Sequence, residues 1–206
     1  MGEYFKTLGW ALLTSSSVVL SIQRAHESIA PGYLSFADTN ITDANINRSL
    51  WAYLANPAAE RAQYATTTDT TLTMLRFKRA SDGLNTGVLC WHSVHGTSML
   101  ENNTHVTGGK SLSDEFYPCY WPESADNKGL SSYLFEQEMK TDSSAAPGFV
   151  AAFSQSSVGD TSPNVLGAWC DDGSGQMCTL EHSTCNGTSE SCHGRGNYRV
   201  YNSDFR

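Results

Sequence analysis

The feature that most constrains this chain is a group of four cysteines near its C-terminal end, Cys170, Cys178, Cys185 and Cys192. They recur at regular intervals in a stretch rich in Gly, Ser and Thr, a pattern that fits either a disulfide knot or a metal site. Because the stretch has no C-x-x-C pair, we interpret it as a disulfide-bonded, Cys-rich loop region rather than a zinc ribbon. Cys90 lies in an apolar run and is expected to stay a buried thiol.

Upstream of the cysteines, the apolar pattern predicts helices and strands in mixed order. Alternating apolar residues predict a strand over Thr71–Arg79, and a turn at Ser81-Asp82-Gly83 separates it from an apolar strand over Val88–Val94. Further patterns predict a helix over Ser131–Lys140, strands over Leu34–Phe36 and Phe149–Phe153, and loops over Asp38–Ser49 and Ser154–Asn164. The sequence therefore predicts one α/β domain, a mixed α+β layered architecture.

The N-terminal segment allows two interpretations. Lys6 precedes an apolar patch over Leu8–Ile22, as in a weak signal peptide, but Thr14 to Ser17 interrupt the patch. Val19, Ile22, His26 and Ile29 can share one face of a helix, so we favour an amphipathic helix over Val18–Ile29. No stretch of the sequence is long and apolar enough to span a bilayer.

Charge and sequons restrict the partners and the compartment. The net charge is −8 and no cluster of Lys and Arg is present, so nucleic acid is not an expected partner. Glycosylation sequons begin at Asn40, Asn47, Asn102 and Asn186, and together with the cysteines they favour a secreted protein.

Three segments carry residues suited to chemistry, each with a plainer alternative. His92 and His95 leave the end of a predicted strand, where an imidazole either ligates zinc or simply forms a hydrogen bond. Ser162 lies in a Gly159–Asn164 loop after a strand, either as a catalytic serine or in an Asp/Ser turn braced by proline, and it is not in a G-x-S-x-G elbow. Arg48 either holds a polar head group or is a solvated surface side chain.

Taken together and in this order, these segments resemble neutral ceramidases from about Leu13 to about Gly196. The most specific pieces are Val94-His95-Gly96-Thr97-Ser98-Met99 and Gly159-Asp160-Thr161-Ser162-Pro163-Asn164. Further matching pieces are Ser21–His26, Ile46-Asn47-Arg48-Ser49, Tyr53–Pro57, Glu60–Tyr64, Asp126-Asn127-Lys128-Gly129 and Phe149–Phe153.

The resemblance implies an enzyme that hydrolyses the N-acyl amide bond of ceramide to sphingosine and a fatty acid, with substrate reached at a membrane surface. It implies that His95 is a ligand of a catalytic zinc, that Ser162 is the catalytic serine, as nucleophile or oxyanion partner, and that Arg48 lines the substrate site. It also implies disulfides from the first to the third and from the second to the fourth of the clustered cysteines.

The departures from the family are as informative as the matches. The family's Gly-Thr-His-x-His-Ser-Gly-Pro stretch is absent, and its glutamate and tyrosine zinc ligands and its C-terminal β-sandwich domain match positions beyond Arg206. Residues 1–206 are therefore expected to be a partial catalytic domain that alone neither binds zinc tightly nor hydrolyses ceramide. The alternatives are a secreted Cys-rich binding module without catalysis and an inactive paralogue that still binds lipid.

One segment, Gly109–Ala125, interrupts the resemblance, because the family's counterpart of 103–108 continues directly into Asp126-Asn127-Lys128-Gly129. Gly109-Lys110 can be encoded with a GTAAG splice donor, and Ala125 with the first base of the Asp126 codon can end in a CAG acceptor. We therefore predict a retained intron. The alternative is a genuine surface loop whose aromatic residues contact lipid.

Overall fold

Four strands form the main sheet of the computed structural model, which describes residues 2–98, 126–170, 172–179, 184–188, 191–195 and 201–202. The strands are β1 (Gly32–Asn40), β3 (Thr71–Arg79), β4 (Asn85–His92) and β5 (Ala145–Gln155), in the order β1-β3-β4-β5. The first two neighbouring pairs are antiparallel, and β4 pairs with β5 in parallel. Together with its helices, this mixed sheet confirms the predicted fold class.

The β3–β4 hairpin follows the sequence prediction closely. The bounds of β3 are those predicted, and β4 covers most of the predicted second strand but begins at Asn85 and ends at His92. Gly83 in the turn has φ +70, a conformation that glycine adopts without strain. Arg79 and Asp82 form an exposed ion pair at 2.5 Å beside it.

The parallel β4–β5 pair approaches closely at Gly87. A Cβ atom at this position would lie 2.7 Å from the carbonyl oxygen of Val150, so only glycine fits without a shift of the backbone. The strand register shifts between Asn85 and Gly87 at the same place.

A helix, α4 (Asp126–Met139), packs on β5 and closes the core of the sheet. Phe135 lies 6.0 Å from Phe149 and 6.1 Å from Phe153, measured between ring centroids, and these rings pack against the buried cluster of Val88, Cys90 and Ala151. Helix α4 begins at Asp126, earlier than the predicted start at Ser131.

Two side chains of α4 accept hydrogen bonds from backbone N–H groups on the outer edge of β5. Ser132 Oγ accepts the N–H of Phe153 at 3.2 Å, and Glu136 Oε1 accepts the N–H of Ala151 at 3.0 Å. Residues four apart lie on one face of a helix, so α4 covers a strand edge that would otherwise expose unpaired donors.

The N-terminal helix and the first strand are largely exposed. Helix α1 (Gly2–Glu27) confirms a helical N-terminal segment, yet residues 15–27 are all exposed, with Ile22 at 64%. Strand β1 is longer than predicted and exposes Phe36 at 66%. None of the helices in the described part of the chain is both long and apolar enough to cross a membrane.

Shorter elements occupy the segments predicted as loops. Strand β2 (Ile46–Asn47) pairs with β6 (Thr161–Ser162), and β2 is followed by helices α2 (Leu50–Leu54) and α3 (Ala58–Arg61). The loop predictions for 38–49 and 154–164 are therefore wrong at β2, at β6 and where β1 and β5 extend into them.

The described residues of the Cys-rich region form three short strands, β7 (Ala168–Cys170), β8 (Cys192–Arg195) and β9 (Tyr201–Asn202), in that order in the sheet. The sequence predicted a loop for this region, and the strands correct that prediction in part. Disulfides join Cys170 to Cys185 and Cys178 to Cys192, which confirms the pairing implied by the resemblance. Cys90 is a free thiol, 1% exposed, and burial raises its pKa. The segment 109–125 lies outside the described residues.

Candidate active site

The candidate site is built on the two-stranded ribbon of β2 and β6. Ser162 in β6 is the register partner of Ile46 in β2 and is fully buried, and its Oγ accepts the N–H of Asn164 at 3.1 Å. Arg48 directly follows β2, and its N–H donates to the carbonyl oxygen of Asp160 at 3.0 Å. The ribbon therefore places the backbone of Arg48 beside the segment that carries Ser162.

A tight turn before β6 brings His95 to the same segment. Gly159 has φ +45, and the N–H of Thr161 closes the turn on the carbonyl oxygen of Val158 at 2.9 Å. The carbonyl oxygen of Gly159 lies 3.0 Å from His95 Nε2, and the N–H of His95 donates to Thr161 at 3.4 Å. Arg48, His95 and Ser162, which were predicted from separate parts of the sequence, thus converge on residues 159–162.

The hydrogen bond of His95 fixes which ring nitrogen can bind a metal. A carbonyl oxygen only accepts, so Nε2 carries the proton and the lone pair of the neutral ring is on Nδ1. Metal-ligating histidines typically donate their other ring N–H in this way. Within the described ranges, however, the only group of three or more metal-ligating side chains consists of cysteines. The described residues thus fit one ligand of a zinc site, and not a complete site.

The N-terminus of α4 holds the loop that follows His95. Asp126 begins the helix, and its carboxylate oxygens lie 3.1 and 2.9 Å from the N–H of Ser98. Asn127 Nδ2 donates to the carbonyl oxygen of His95 at 2.7 Å and to Ser98 Oγ at 3.2 Å. The sequence marked Asp126 and Asn127 only as part of the resemblance. An acid and an amide together mark the start of a helix, and this signal could have identified them.

A buried asparagine joins the ribbon to the end of β4. Asn45 precedes β2, is 7% exposed, and donates from Nδ2 to the carbonyl oxygens of Asp69 at 2.8 Å and Ser93 at 2.5 Å. Its Oδ1 accepts from Thr68 Oγ1 at 3.0 Å. Sequence reasoning missed Asn45, because nothing distinguishes it from the other asparagines of its loop.

Asp69 completes this network as an ionised acceptor. The N–H of Thr71 donates to its Oδ1 at 2.9 Å, and Ser93 Oγ donates to its Oδ2 at 3.2 Å. The hydrogen bond from the Thr71 backbone is the main cause that holds the pKa of Asp69 below its ordinary value. The network therefore fixes Ser93, close in sequence to His95, against the loop that precedes β3.

His92, the other histidine of the segment, does not join this arrangement. It is 6% exposed at the end of β4, and its Nδ1 donates to the carbonyl oxygen of Thr71 at 3.2 Å. Its Nε2 is buried without a hydrogen-bond partner among the described residues. His92 is therefore a hydrogen-bonded histidine at a strand end, which is the plainer of the two interpretations of this segment.

Two further features border the site. Lys128, in the first turn of α4, is partly buried, and burial lowers its pKa to about 8 while Asp126 acts in the opposite direction. Ile46, the partner of Ser162, packs against the buried cluster formed by Ala168, Cys170, Cys185 and Cys192. The disulfide knot therefore supports one side of the ribbon.

Comparison with known proteins identifies the family. The profile described as "Neutral/alkaline non-lysosomal ceramidase, N-terminal" matches residues 11–114 and 121–205. The chain belongs to this family. Neutral ceramidase B of Dictyostelium discoideum and neutral ceramidase of Drosophila melanogaster are each 37% identical to it, over 88% of the chain and 23% of the relative. Neutral ceramidase 2 of Arabidopsis thaliana is 33% identical over 85% of the chain and 28% of the relative.

A solved structure agrees with the sequence relatives. The crystal structure of neutral ceramidase from Pseudomonas aeruginosa aligns with a TM-score of 0.55 and 33% identity, covering 77% of this chain and 21% of that chain. A ceramidase complexed with C2 aligns with a TM-score of 0.52, also at 33% identity, over 70% of this chain and 19% of that one. The chain thus spans only about a quarter of the length of the ceramidases that it matches.

Proposed function

We propose that this chain is part of an enzyme that hydrolyses the N-acyl amide bond of ceramide to sphingosine and a fatty acid. Membership of the neutral ceramidase family supports this reaction. The observation that carries the proposal for these residues is the convergence of Arg48, His95 and Ser162 on the β2–β6 ribbon, through the carbonyl oxygens of Gly159, Asp160 and Thr161.

In this proposal each residue has one role. Ser162 acts on the amide carbonyl, as nucleophile or as a donor to the developing oxyanion. His95 contributes one ligand to a zinc ion in the full-length enzyme, through the nitrogen opposite its bond to Gly159. Arg48 holds the polar part of the substrate. The structure assigns no step to the metal, since the described residues supply a single ligand.

The test uses a full-length protein that contains this segment. His95→Ala should remove zinc and activity together, as measured by metal analysis and by sphingosine release. Ser162→Ala should abolish activity and leave the zinc content unchanged, whereas Arg48→Ala should mainly lower kcat/KM on ceramide. Normal turnover in the Ser162→Ala protein would overturn the serine assignment.

Matched controls separate these roles from general damage to the fold. His26→Ala and Ser157→Ala replace residues of the same types that are exposed and outside the ribbon, so both proteins should retain zinc and activity. The 206-residue chain in its oxidised form should release no sphingosine. If the chain alone turns over ceramide, the view that the segment is an incomplete site is wrong.

We further propose that the working protein is secreted and meets its lipid substrate at a membrane surface. Asn40 and Asn186 are exposed and suit glycosylation. Asn47 is half-buried, its Nδ2 donates to the carbonyl oxygen of Thr67 at 3.0 Å, and its Oδ1 accepts the N–H of Ser49 at 2.8 Å. A glycosidase-sensitive mass shift that falls by one glycan in each of the Asn40→Gln and Asn186→Gln variants, and is unchanged in Asn47→Gln, is the expected result.

We also propose that Gly109–Ala125 is encoded by a retained intron. The proposal rests on the splice-site codons that Gly109-Lys110 and Ala125 allow. The family profile matches 109–114 and 121–125 and leaves only 115–120 of this segment unmatched. Sequencing the messenger RNA across the junction tests the proposal. A dominant spliced transcript that still encodes Gly109–Ala125 would make the segment a genuine loop and its aromatic residues candidates for lipid contact.

A further inference from the structure

The four clustered cysteines place their sulfur atoms in one small volume. Besides the two bonds within the bridges, Cys178 Sγ lies 3.4 Å from Cys185 Sγ, and Cys185 Sγ lies 3.6 Å from Cys192 Sγ. The sulfurs of Cys170, Cys178 and Cys185 all lie within 4.8 Å of one another. The two bridges are therefore stacked against each other rather than placed at separate points of the region.

These separations are close to those of a tetrahedral zinc site. Zinc–sulfur bonds of about 2.3 Å place neighbouring sulfurs about 3.8 Å apart in a tetrahedron. The contacts between the bridges, at 3.4 and 3.6 Å, differ from this separation by a few tenths of an ångström. Only the two covalently bonded pairs would have to move apart, and breaking the bonds removes that constraint.

Backbone hydrogen bonds hold the cysteine segments together independently of the disulfides. Cys170 and Cys192 are register partners in the β7–β8 pair. The N–H of Cys178 donates to the carbonyl oxygen of Ala168 at 3.1 Å, and the N–H of Thr179 donates to the carbonyl oxygen of Thr184 at 3.0 Å, which joins the segment of Cys178 to that of Cys185. Cys170, Cys185 and Cys192 are at most 8% exposed, so the sulfurs face a nearly dry interior. Loss of the two bonds therefore leaves the ligand segments anchored by their backbones.

We propose that the four cysteines bind one Zn²⁺ as a tetrathiolate when both bridges are reduced. Each bridge is reduced by two electrons to two thiols, which gives four thiols in total. Two molecules of a thiol reductant supply the electrons and the two protons and form their own disulfide, whereas a phosphine supplies the electrons, becomes a phosphine oxide, and the oxygen and two protons come from water. Zinc then displaces the thiol protons, so binding strengthens as the pH rises. The region thus has two stabilised states, an oxidised state with two disulfides and a reduced state with one metal ion.

This zinc site is distinct from the proposed catalytic one. The expectation that the chain alone does not bind zinc tightly rests on the single ligand His95, and it concerns the oxidised chain. The absence of a C-x-x-C pair argued against a zinc ribbon, because sequence spacing was the only available criterion. In the structure, the four cysteines come together from separate segments, so a C-x-x-C pair is not needed to form the site.

The test is a zinc titration of the purified 206-residue chain, after reduction with a phosphine under metal-free conditions and in parallel in its oxidised form. We expect one zinc per reduced chain, protection of four thiols from alkylation, and no tight binding by the oxidised chain. Co²⁺ used in place of zinc should give the intense visible absorption of a tetrahedral thiolate site. Binding no stronger than that of the oxidised chain would overturn the proposal.

Variants locate the site. Cys178→Ser removes one ligand and should weaken zinc binding by more than the roughly 100-fold that loss of an outer-shell partner can cost. Cys90→Ala and His95→Ala lie outside the cluster and should bind zinc as the wild type does. Loss of binding in His95→Ala would refute the cysteine assignment without touching the proposed catalytic role.

A second measurement covers the case in which the reduced chain loses its structure without metal. Circular dichroism should then show that one equivalent of zinc restores the β-structure signal of the oxidised chain. Zinc that binds without restoring that signal would refute the claim that the fold places the ligands in advance.

Discussion

Replacement of Asn45 by alanine should strongly destabilise the part of the fold that carries the candidate site. Asn45 is 7% exposed and connects the start of the β2–β6 ribbon to the carbonyl oxygens of Asp69 and Ser93 and to Thr68 Oγ1. Alanine removes all three bonds and adds no new partner. The network then no longer ties the ribbon to the strand that leads to His95.

The magnitude follows from the surroundings of each lost partner. Ser93 is fully buried, so its carbonyl oxygen has no water to replace Asn45, and an unsatisfied buried acceptor costs about 1–3 kcal/mol. Asp69 is exposed and Thr68 is half-buried, so each lost bond there costs about 0.5–1 kcal/mol. We therefore expect the free energy of unfolding to fall by about 2–5 kcal/mol.

Urea denaturation of the chain, followed by tryptophan fluorescence, measures this change. The matched control is Asn40→Ala, because Asn40 is exposed and, among the described residues, its side chain accepts only a 3.3 Å hydrogen bond from Thr70 Oγ1. The control should change the free energy of unfolding by less than about 0.5 kcal/mol. A loss below about 1 kcal/mol in Asn45→Ala would show that the network adds little to stability.

The Asn45→Asp protein provides a pH test of the same contact. A carboxylate would face two carbonyl oxygens, so the folded state disfavours its charged form and raises its pKa above the unfolded value. The destabilisation should be largest above the folded pKa and should shrink as the pH falls toward the unfolded value of about 4. The measurement is the difference in the free energy of unfolding between this variant and the wild type as the pH is lowered. If that difference does not shrink on acidification, the geometry around Asn45 is contradicted.

Three further changes test other parts of the structure by the same denaturation assay. Burial lowers the pKa of Lys128 to about 8 from 10.5, so the unfolded chain binds more protons across that window and stability rises with pH. Lys128→Met should flatten this rise and stabilise the chain at pH 7 by about 1–2 kcal/mol, after allowance for partial exposure. If the free energy of unfolding of Lys128→Met depends on pH as that of the wild type does, this role of Lys128 is refuted. Gly87→Ala should cost about 1–3 kcal/mol because its Cβ would lie 2.7 Å from Val150 O, whereas Gly96→Ala, with its nearest atom at 3.7 Å, should be nearly neutral. Joint replacement of Cys178 and Cys192 by alanine should cost about 2–3 kcal/mol through the unfolded chain, and no loss would show that the second bridge is dispensable.

The elements predicted well are those whose apolar residues recur along the chain at the period of a strand. In β3, Leu72 and Met74 lie two residues apart and pack against the buried cluster of the sheet, and the predicted bounds are correct. Strand β1 was predicted too short because it lies at the sheet edge with Asp38 to Asn40 exposed, and its polar end resembles a loop. Strands of two residues, such as β2 and β6, are too short for any periodicity to be detected.

The candidate site was predictable in part only. Residue patterns selected Ser162, His95 and Arg48 as suited to chemistry, and the family resemblance gave them roles. No pattern in the sequence could join them, because their contacts run through backbone carbonyl oxygens of Gly159, Asp160 and Thr161. Asn45 was missed because its importance comes from burial and from distant partners, and Asn127 was marked only as part of the resemblance.

The β2–β6 ribbon is too small to hold its own geometry. Each of its strands has two residues, and a two-stranded ribbon of this length is not stable in water. Its geometry must therefore come from what borders it. On one side Ile46 packs against the cysteine cluster, and on the other Asn45 fixes the ribbon to Ser93 at the end of β4. The disulfide knot and the buried amide thus act on the same few residues. Damage to either support should shift Ser162 relative to His95 while leaving the main sheet intact.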